Sequence, residues 1–367
     1  MNIDYLKIQN QKIKKKLISS FSNSINQADY ILGYNVNLIE KKLSSDVGSK
    51  YCCVVSSGTD ALYIALKCLG IKKGDEVITS PFSWISAVEM IVSLGAIPVF
   101  CDIDPLTFNL NPKEITKKIS NKTKAILPVS LFGQICDIQE INKIAKKYKI
   151  KVIEDAAQSY GSSENGINSC NCTDLSITSF FPTKPLGTLG DGGAIFTNNK
   201  NYYEYCKKFR NHGQYIKGKY DLVGANSRLD NIKAGFLIEK LKIFKKEVEL
   251  RQNVYKSYCE FLENSKLNIQ LPFIKPKTIS VFAQFPLLTT KVNRQKIISF
   301  NKISKKFKFP IFYPKPIYEL KPYSSFRVEK LEITEMICKT IFCLPFHPYM
   351  KPKELHQITN YLKKVIN

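Results

Sequence analysis

The sequence predicts an α/β protein: a mostly parallel central sheet flanked by helices, followed by a smaller C-terminal α+β domain. Three observations carry this. Short β-branched or apolar runs alternate with helical stretches through the first half of the chain, a pattern that builds parallel sheets. Near residue 235 the alternation gives way to one long charged helical stretch. A chain of 367 residues with 44% hydrophobic content is enough for one large domain with a smaller companion.

The first fifty residues read as one or two helices leading into the large domain. Strands follow at Tyr51–Val55, Glu76–Thr79, Ile97–Asp102, Lys124–Val129, Lys151–Glu154, Leu175–Ser179 and Gly193–Thr197. Between them lie helical segments at Asp60–Leu69, Ser83–Leu94 and Ile138–Lys147, each bounded by Gly, Pro or Asn. Phe236–Cys259 reads as a connecting helix. Beyond it the spacing predicts strands at Ser280–Leu287 and Phe309–Phe312 and a helix at Pro352–Val365. The division expected is residues 1–245 and 246–367.

Composition narrows the function classes. No apolar run reaches the roughly 18 residues of a membrane span. The N-terminal stretch MNIDYLKIQNQKIKKK is polar and basic, without the apolar core of a secretory signal; a cytoplasmic protein without membrane insertion is expected. The eleven cysteines mostly sit in apolar runs such as YCCVV and read as small, reduced hydrophobes. Cys170 and Cys172 have no nearby histidine or second pair, so no metal is assigned. The formal charge of +24 is spread along the chain in short runs, without a helix-turn-helix or zinc-finger spacing. It reads as a lysine-rich surface that favours anionic substrates, and no nucleic-acid partner is assigned.

Four loops at predicted strand ends carry the chemistry, where ligands of such sheets bind. Ser56-Ser57-Gly58-Thr59-Asp60 joins a strand to a helix and offers amides and hydroxyls for a phosphate, or a plain helix cap. Pro81-Phe82-Ser83-Trp84 holds the only tryptophan, a plate for a flat ring or a core residue. Asp155 closes a strand and can pair with a buried ring nitrogen or cap a helix. Ser179 precedes Phe180-Phe181-Pro182-Thr183-Lys184 and a glycine cluster from Gly187 to Gly193. A lysine stripped of water there loses its proton easily and can form a Schiff base. A phosphate cradle, an aromatic plate, an acid and an amine together ask for pyridoxal 5′-phosphate (PLP).

These motifs resemble the DegT/DnrJ/StrS nucleotide-sugar aminotransferases, which have the fold-type-I PLP architecture. The carriers are Tyr30-Ile31-Leu32-Gly33, Gly58–Leu62, Gly95–Phe100 leading into Asp102-Ile103-Asp104-Pro105, Glu154–Gln158, the Lys184 motif, Asn226–Asp230 and Leu344–Tyr349. Val129–Gln134, Ser169-Cys170-Asn171, Pro185 and His212-Gly213-Gln214 are similar to the WbpE-type branch. That branch aminates UDP-2-acetamido-2-deoxy-3-oxo-glucuronate for cell-surface polysaccharide precursors.

The resemblance implies roles. Lys184 is the catalytic residue that holds the cofactor and moves the proton. Asp155 keeps the ring nitrogen protonated, Gln158 meets the ring hydroxyl and Trp84 stacks on the ring. Gly58, Thr59 and Ser179 hold the phosphate, joined by Asn226 from a partner subunit. Arg228 meets the sugar nucleotide across the same interface, so a homodimer with shared sites follows. Glutamate is the implied amino donor. Tyr313 is a second substrate-side position, in Phe312-Tyr313-Pro314 where relatives often carry His-Tyr-Pro. Lys233-Ala234-Gly235 stands where Gln-Ala-Ala is usual. His212, His347 and His356 receive no catalytic role. The rivals are an aminotransferase for another 3-keto or 4-keto UDP- or dTDP-sugar, a sugar dehydratase (disfavoured because that class has histidine at the Lys184 position), and a non-catalytic regulatory protein of the same fold.

Overall fold

The computed structural model describes residues 4–326 and 329–366. The extreme ends of the two expected spans, residues 1–3 and 367, lie outside the described residues. The seven strands expected in the first half form one sheet: β1 (Tyr51–Val55), β2 (Glu76–Thr79), β3 (Ile97–Phe100), β4 (Thr123–Leu127), β5 (Lys151–Asp155), β6 (Leu175–Ser179) and β7 (Gly193–Thr197). Their spatial order is β1-β7-β6-β5-β4-β2-β3. Pairing is parallel from β3 to β6, whereas β7 runs antiparallel to both β6 and β1. Strand β4 stops at Leu127, two residues short of the expected end, because Pro128 has no N–H to donate.

Two helices precede the sheet, α1 (Asp4–Gln27) and α2 (Tyr34–Val47). The crossovers carry α3 (Gly58–Cys68), α4 (Ser86–Ser93), α5 (Ile138–Tyr148) and, after β7, α6 (Lys200–Phe209). Helix α4 starts three residues later than expected. Ser80 Oγ accepts from the Phe82 amide and Ser83 Oγ donates to the Trp84 carbonyl, and such local bonds compete with helix formation. The result is a loop that carries Trp84.

The expected connector is a helix of 33 residues, α7 (Asn231–Glu263). Its first half, including Leu237, Ile238 and Phe244, packs into a core shared with α2, β1 and β7. Its second half, with Val254, Tyr258 and Leu262, joins a separate core in the C-terminal part. We propose the division of the chain at residues 245/246, inside this helix. Helix α1 lies along α7, where a Cβ on Gly235 would come within 2.4 Å of Ser20 Oγ. The clash is with a side-chain end that can turn away, so nothing in the structure explains the glycine. A buried polar chain fastens the pair: Lys240 Nζ donates to Gln9 Oε1 (2.8 Å), and Gln9 Nε2 donates to Glu247 (2.9 Å).

The C-terminal part has a three-stranded antiparallel sheet of β8 (Ile269–Gln270), β9 (Phe285–Thr289) and β10 (Ile341–Leu344), in that order. Helices α8 (Lys291–Ile303), α9 (Glu332–Thr340) and α10 (Pro352–Ile366) surround it. Two expectations need correction. Ser280–Leu287 is not one strand, because Val281 and Ala283 give their amides to Gly133 and Phe132 of the β4–α5 loop. Phe309–Phe312 forms no strand. Asn301 takes both backbone bonds of Phe309, and Pro310 has no N–H, so only the Pro310 carbonyl, receiving the Cys343 amide, bonds to the sheet. Asp102, after β3, accepts the Ile333 and Thr334 amides and so caps α9. All eleven cysteines are free, and eight are buried.

Strand β1 is an edge strand, and its outward backbone is closed by a buried ion pair. Glu40 accepts the Val54 amide (2.9 Å), Arg210 donates to the Val54 carbonyl (2.7 Å), and the two side chains bond to each other. Removing either partner strands a buried charge. Arg210→Met is expected to lower unfolding stability by about 3–5 kcal/mol. Urea denaturation should also show that the Glu40→Met/Arg210→Met double change costs less than the sum of its parts.

Candidate active site

The four loops singled out in the sequence meet at the carboxyl edge of the sheet. Helix α3 begins at Gly58, with Ser57 as its cap accepting the Asp60 amide at 3.0 Å. Its first amides have no partner within the helix, which makes an anion site. Here the backbone of three elements converges. A Cβ on Gly58 would lie 2.7 Å from Ser179 Cβ, and one on Gly193 would lie 2.4 Å from the Ser57 carbonyl oxygen. Only glycine permits this closeness, and the hydroxyls of Thr59 and Ser179 stand beside it. Thr59 Oγ1 is 3.3 Å from Ser86 Oγ, a hydroxyl at the start of α4 that the sequence reading passed over.

Asp155 ends β5 with its amide on Pro128 and its carbonyl on the Ser130 amide. Its carboxylate accepts the Ala157 amide at 3.0 Å. Burial pushes its pKa up to about 6, against the pull of that bond and of the Lys184 charge. Lys184 feels the converse: loss of water lowers its pKa, and Asp155 opposes the shift. Lys184 sits on a tight turn, its amide bonded to the Phe181 carbonyl, where a Cβ on Gly187 would meet the Pro182 carbonyl at 2.7 Å. The pair therefore offers a carboxylate for a ring cation and an amine freed of its proton nearer neutral pH.

Gln158 is buried and its orientation is fixed. Oε1 accepts the Phe132 amide (2.9 Å), so the NH₂ group is the end that donates to Tyr313 Oη (3.2 Å). Phe132 holds that amide in place with a left-handed backbone (φ 56°) while its ring packs against Phe82 and Phe108. Tyr313 comes from the C-terminal part, so the site spans both units. The link to Gln158 was not legible in the sequence; the nearest signal was the Phe-Tyr-Pro motif. Trp84 is 62% exposed and thus not a core residue. Its indole is free to lie on a flat ring.

Asn226 and Arg228 lie on an extended segment along the outer end of β1. The Ser56 amide donates to the Ser227 carbonyl, and Val55 forms a bridge with Arg228. Arg228 donates to Asn211 Oδ1 at 2.9 Å, and Asn226 is exposed. Nearby, the hairpin Gln214–Tyr220 leaves Tyr215, Ile216 and Tyr220 exposed. His212 sits at the base of this hairpin. His347 stacks on Tyr5 at 5.4 Å and is held neutral by burial, its pKa lowered to about 4. His356 is exposed. Among the described residues, no group of three or more His, Cys, Asp or Glu is placed to hold a metal ion, and no helix is long and apolar enough to cross a membrane.

The residues present fit PLP: a backbone cradle closed by three elements, two hydroxyls, a buried carboxylate and a desolvated lysine. Fold and site together define a PLP-dependent transaminase of fold type I. The profile of the DegT/DnrJ/EryC1/StrS aminotransferase family matches residues 11–363, and the chain belongs to that family. It is 41% identical over 350 residues to the UDP-2-acetamido-2-deoxy-3-oxo-D-glucuronate aminotransferase of Pseudomonas aeruginosa, covering 95% of this chain and 96% of that one. It is 33% identical to a pleiotropic regulatory protein of Geobacillus stearothermophilus, over 96% of both. An aminotransferase of the family from Brucella abortus superposes with a TM-score of 0.92 at 31% identity over 98% of both chains. NtdA of Bacillus subtilis, with the cofactor PMP bound, superposes with a TM-score of 0.90 at 29% identity, over 97% of this chain and 82% of that one.

The raised pKa of Asp155 makes a stability prediction. Because the folded value of about 6 lies above the ordinary 3.8, folding is favoured most at low pH and loses stability as pH rises through 6. The shift corresponds to about 3 kcal/mol. In the cofactor-free protein, Asp155→Asn should raise stability at pH 8 by up to that amount, the pull of Lys184 being already contained in it. The gain should vanish below pH 4. Denaturation curves at the two pH values decide this.

Proposed function

We propose that the chain moves the amino group of glutamate to a keto nucleotide sugar, with UDP-2-acetamido-2-deoxy-3-oxo-glucuronate as the acceptor. The observation that carries this is the 41% identity, end to end, to the Pseudomonas aeruginosa enzyme of that name, together with a lysine–aspartate pair at the site. PLP, when bound, supplies the electron sink that lets an amino group pass between two carbon skeletons.

The chain's own residues do the rest. Lys184 anchors the cofactor, then takes and returns a proton at its Nζ in each half-reaction. Asp155 places a negative charge against the ring nitrogen. Gln158, locked by Phe132 and Tyr313, presents its amide to the ring hydroxyl, and Trp84 covers the ring face. Gly58, Thr59 and Ser179 receive the phosphate. Arg228 and Tyr313 are assigned to the substrate, and the chain is placed in the cytoplasm, where glutamate and sugar nucleotides are free.

We further infer a homodimer in which Asn226 and Arg228 serve the partner's site. Their position beside the exposed apolar hairpin Gln214–Tyr220 supports this, since such patches mark interaction surfaces. A second reading, an aminotransferase for another 3-keto or 4-keto UDP- or dTDP-sugar, draws support from Phe312, which departs from the usual histidine on the substrate side. The regulatory reading suggested by the Geobacillus relative is opposed by the complete lysine–aspartate site.

Glutamate-dependent formation of 2-oxoglutarate over a panel of keto nucleotide sugars is expected to be fastest with the UDP-3-oxo-glucuronate. A faster 4-keto substrate would move the assignment to the second reading. Lys184→Ala is expected to cut turnover by more than about a thousandfold; sustained multiple turnover by that variant would sink the chemistry. The shared site makes a separate prediction. Mixing Lys184→Ala with Asn226→Ala/Arg228→Ala subunits should restore activity at about a quarter of the sites, because half the dimers are mixed and each carries one intact site. No recovery on subunit exchange would place Asn226 and Arg228 at their own chain's site.

A further inference from the structure

Thr183 and Lys184 share one peptide unit, and both of its polar ends are bonded. The N–H, on Lys184, donates to the Phe181 carbonyl at 2.9 Å. The C=O, on Thr183, accepts the hydroxyl of Tyr5 at 3.3 Å. A peptide unit is a rigid plane, so bonds at its two ends leave it little freedom to tilt. That plane leads directly into the Cα that carries the Lys184 side chain. The first of the two bonds is local to the turn. The second comes from the first turn of α1, 178 residues away along the chain.

Tyr5 is itself tightly held. It is buried, and its ring stacks on His347 with centres 5.4 Å apart and an interplanar angle of 11°. His347 Nδ1 accepts the Tyr349 amide at 3.2 Å, which fixes the imidazole. The Leu344–Tyr349 motif supplies no residue to the site, yet it supplies the plate against Tyr5. The guanidinium of Arg251, buried on α7, lies against the Tyr5 hydroxyl and strengthens it as a donor. Burial raises the pKa of that hydroxyl, so it keeps the proton it donates.

One turn further along α1, Gln9 donates to Glu247 at 2.9 Å and accepts from Lys240 at 2.8 Å. Tyr349 Oη also bonds to Glu247. Tyr5, Gln9, Ile13 and Leu17 recur every four residues and are all buried, so they form one stripe by which α1 is docked. Tyr5 is the member of that stripe that bonds to the Lys184 turn.

We propose that Tyr5 is a positioning residue for the aminotransferase reaction: through the Thr183 carbonyl it sets the peptide plane of Lys184, and with it the place from which Nζ moves the proton. The proposal rests on Lys184 as the residue that carries the reaction; the brace on its turn does not.

The test compares Tyr5→Phe, which keeps the stacked ring and removes the hydroxyl, with Tyr349→Phe, which cuts a bond of the same network and leaves Thr183 untouched. Deuterium exchange over residues 181–188 is followed in the full chain without cofactor. Tyr5→Phe is expected to speed exchange of that segment about three- to tenfold, the worth of one hydrogen bond, with α3 and the main sheet unchanged. In the PLP-loaded enzyme the limiting rate of the glutamate half-reaction should fall by a similar factor at unchanged half-saturation. Tyr349→Phe should match the wild type in both measurements. Unchanged exchange in Tyr5→Phe, faster exchange spread equally over α3 and the sheet, or an equal effect of Tyr349→Phe overturns the proposal. Faster exchange without loss of rate overturns it too, since the brace would then not govern Lys184. If Tyr5→Phe does not fold, Tyr5→His is measured, whose ring still stacks on His347 but ends short of Thr183, and the same readings decide. A loosened turn in a protein whose Lys184→Ala variant still turns over would leave the brace standing and overturn the role of Lys184 instead.

Discussion

Two opposite charges drawn back from water, the buried Asp155 and the half-buried Lys184, are the constraint around which the molecule is arranged. Each alone would be expelled or neutralised; burial raises the one and lowers the other. The sheet offsets this cost by geometry. Asp155 ends a central strand with its backbone bonded to β4's extension, and the Ala157 amide is aimed at its carboxylate. One residue earlier, Glu154 points to the other face, wholly buried. It is held by the Ser130 and Ser169 hydroxyls at 3.0 and 2.7 Å and by the Cys170 amide at 2.9 Å. Adjacent carboxylates on opposite faces of one strand have separate tasks. One braces the loops beneath the site, and the other lies near the Lys184 charge at the candidate site.

Closeness of backbone is the second condition. The backbone cradle exists because β6, β7 and the start of α3 approach more tightly than any side chain would allow at Gly58 and Gly193. The buried Glu40–Arg210 pair closes the edge strand β1 that leads into this cradle. Stability far from the chemistry and geometry at the chemistry are therefore linked through a single strand.

The C-terminal part contributes Tyr313 to the candidate site. It is tied to the large unit by a continuous α7, by Asp102 capping α9, and by Val281 and Ala283 on the β4–α5 loop. Those ties deliver Tyr313 to Gln158.

The sequence by itself determined the seven strands of the main sheet, a helical leading segment, the connector and the four loops of the site. All of these rest on local patterns: apolar runs of strand length, turn residues, and a lysine beside a glycine cluster. It misjudged Phe309–Phe312 and Ser280–Leu287 because an apolar, β-branched run reports burial, not which partner receives the backbone bonds. Asn301, a short way back along the chain, and the distant Phe132–Gly133 loop take those bonds. Only the tertiary structure decided that Trp84 is exposed and that Gln158 is locked between Phe132 and Tyr313. Each depends on contacts between residues far apart in the chain, which no local pattern encodes.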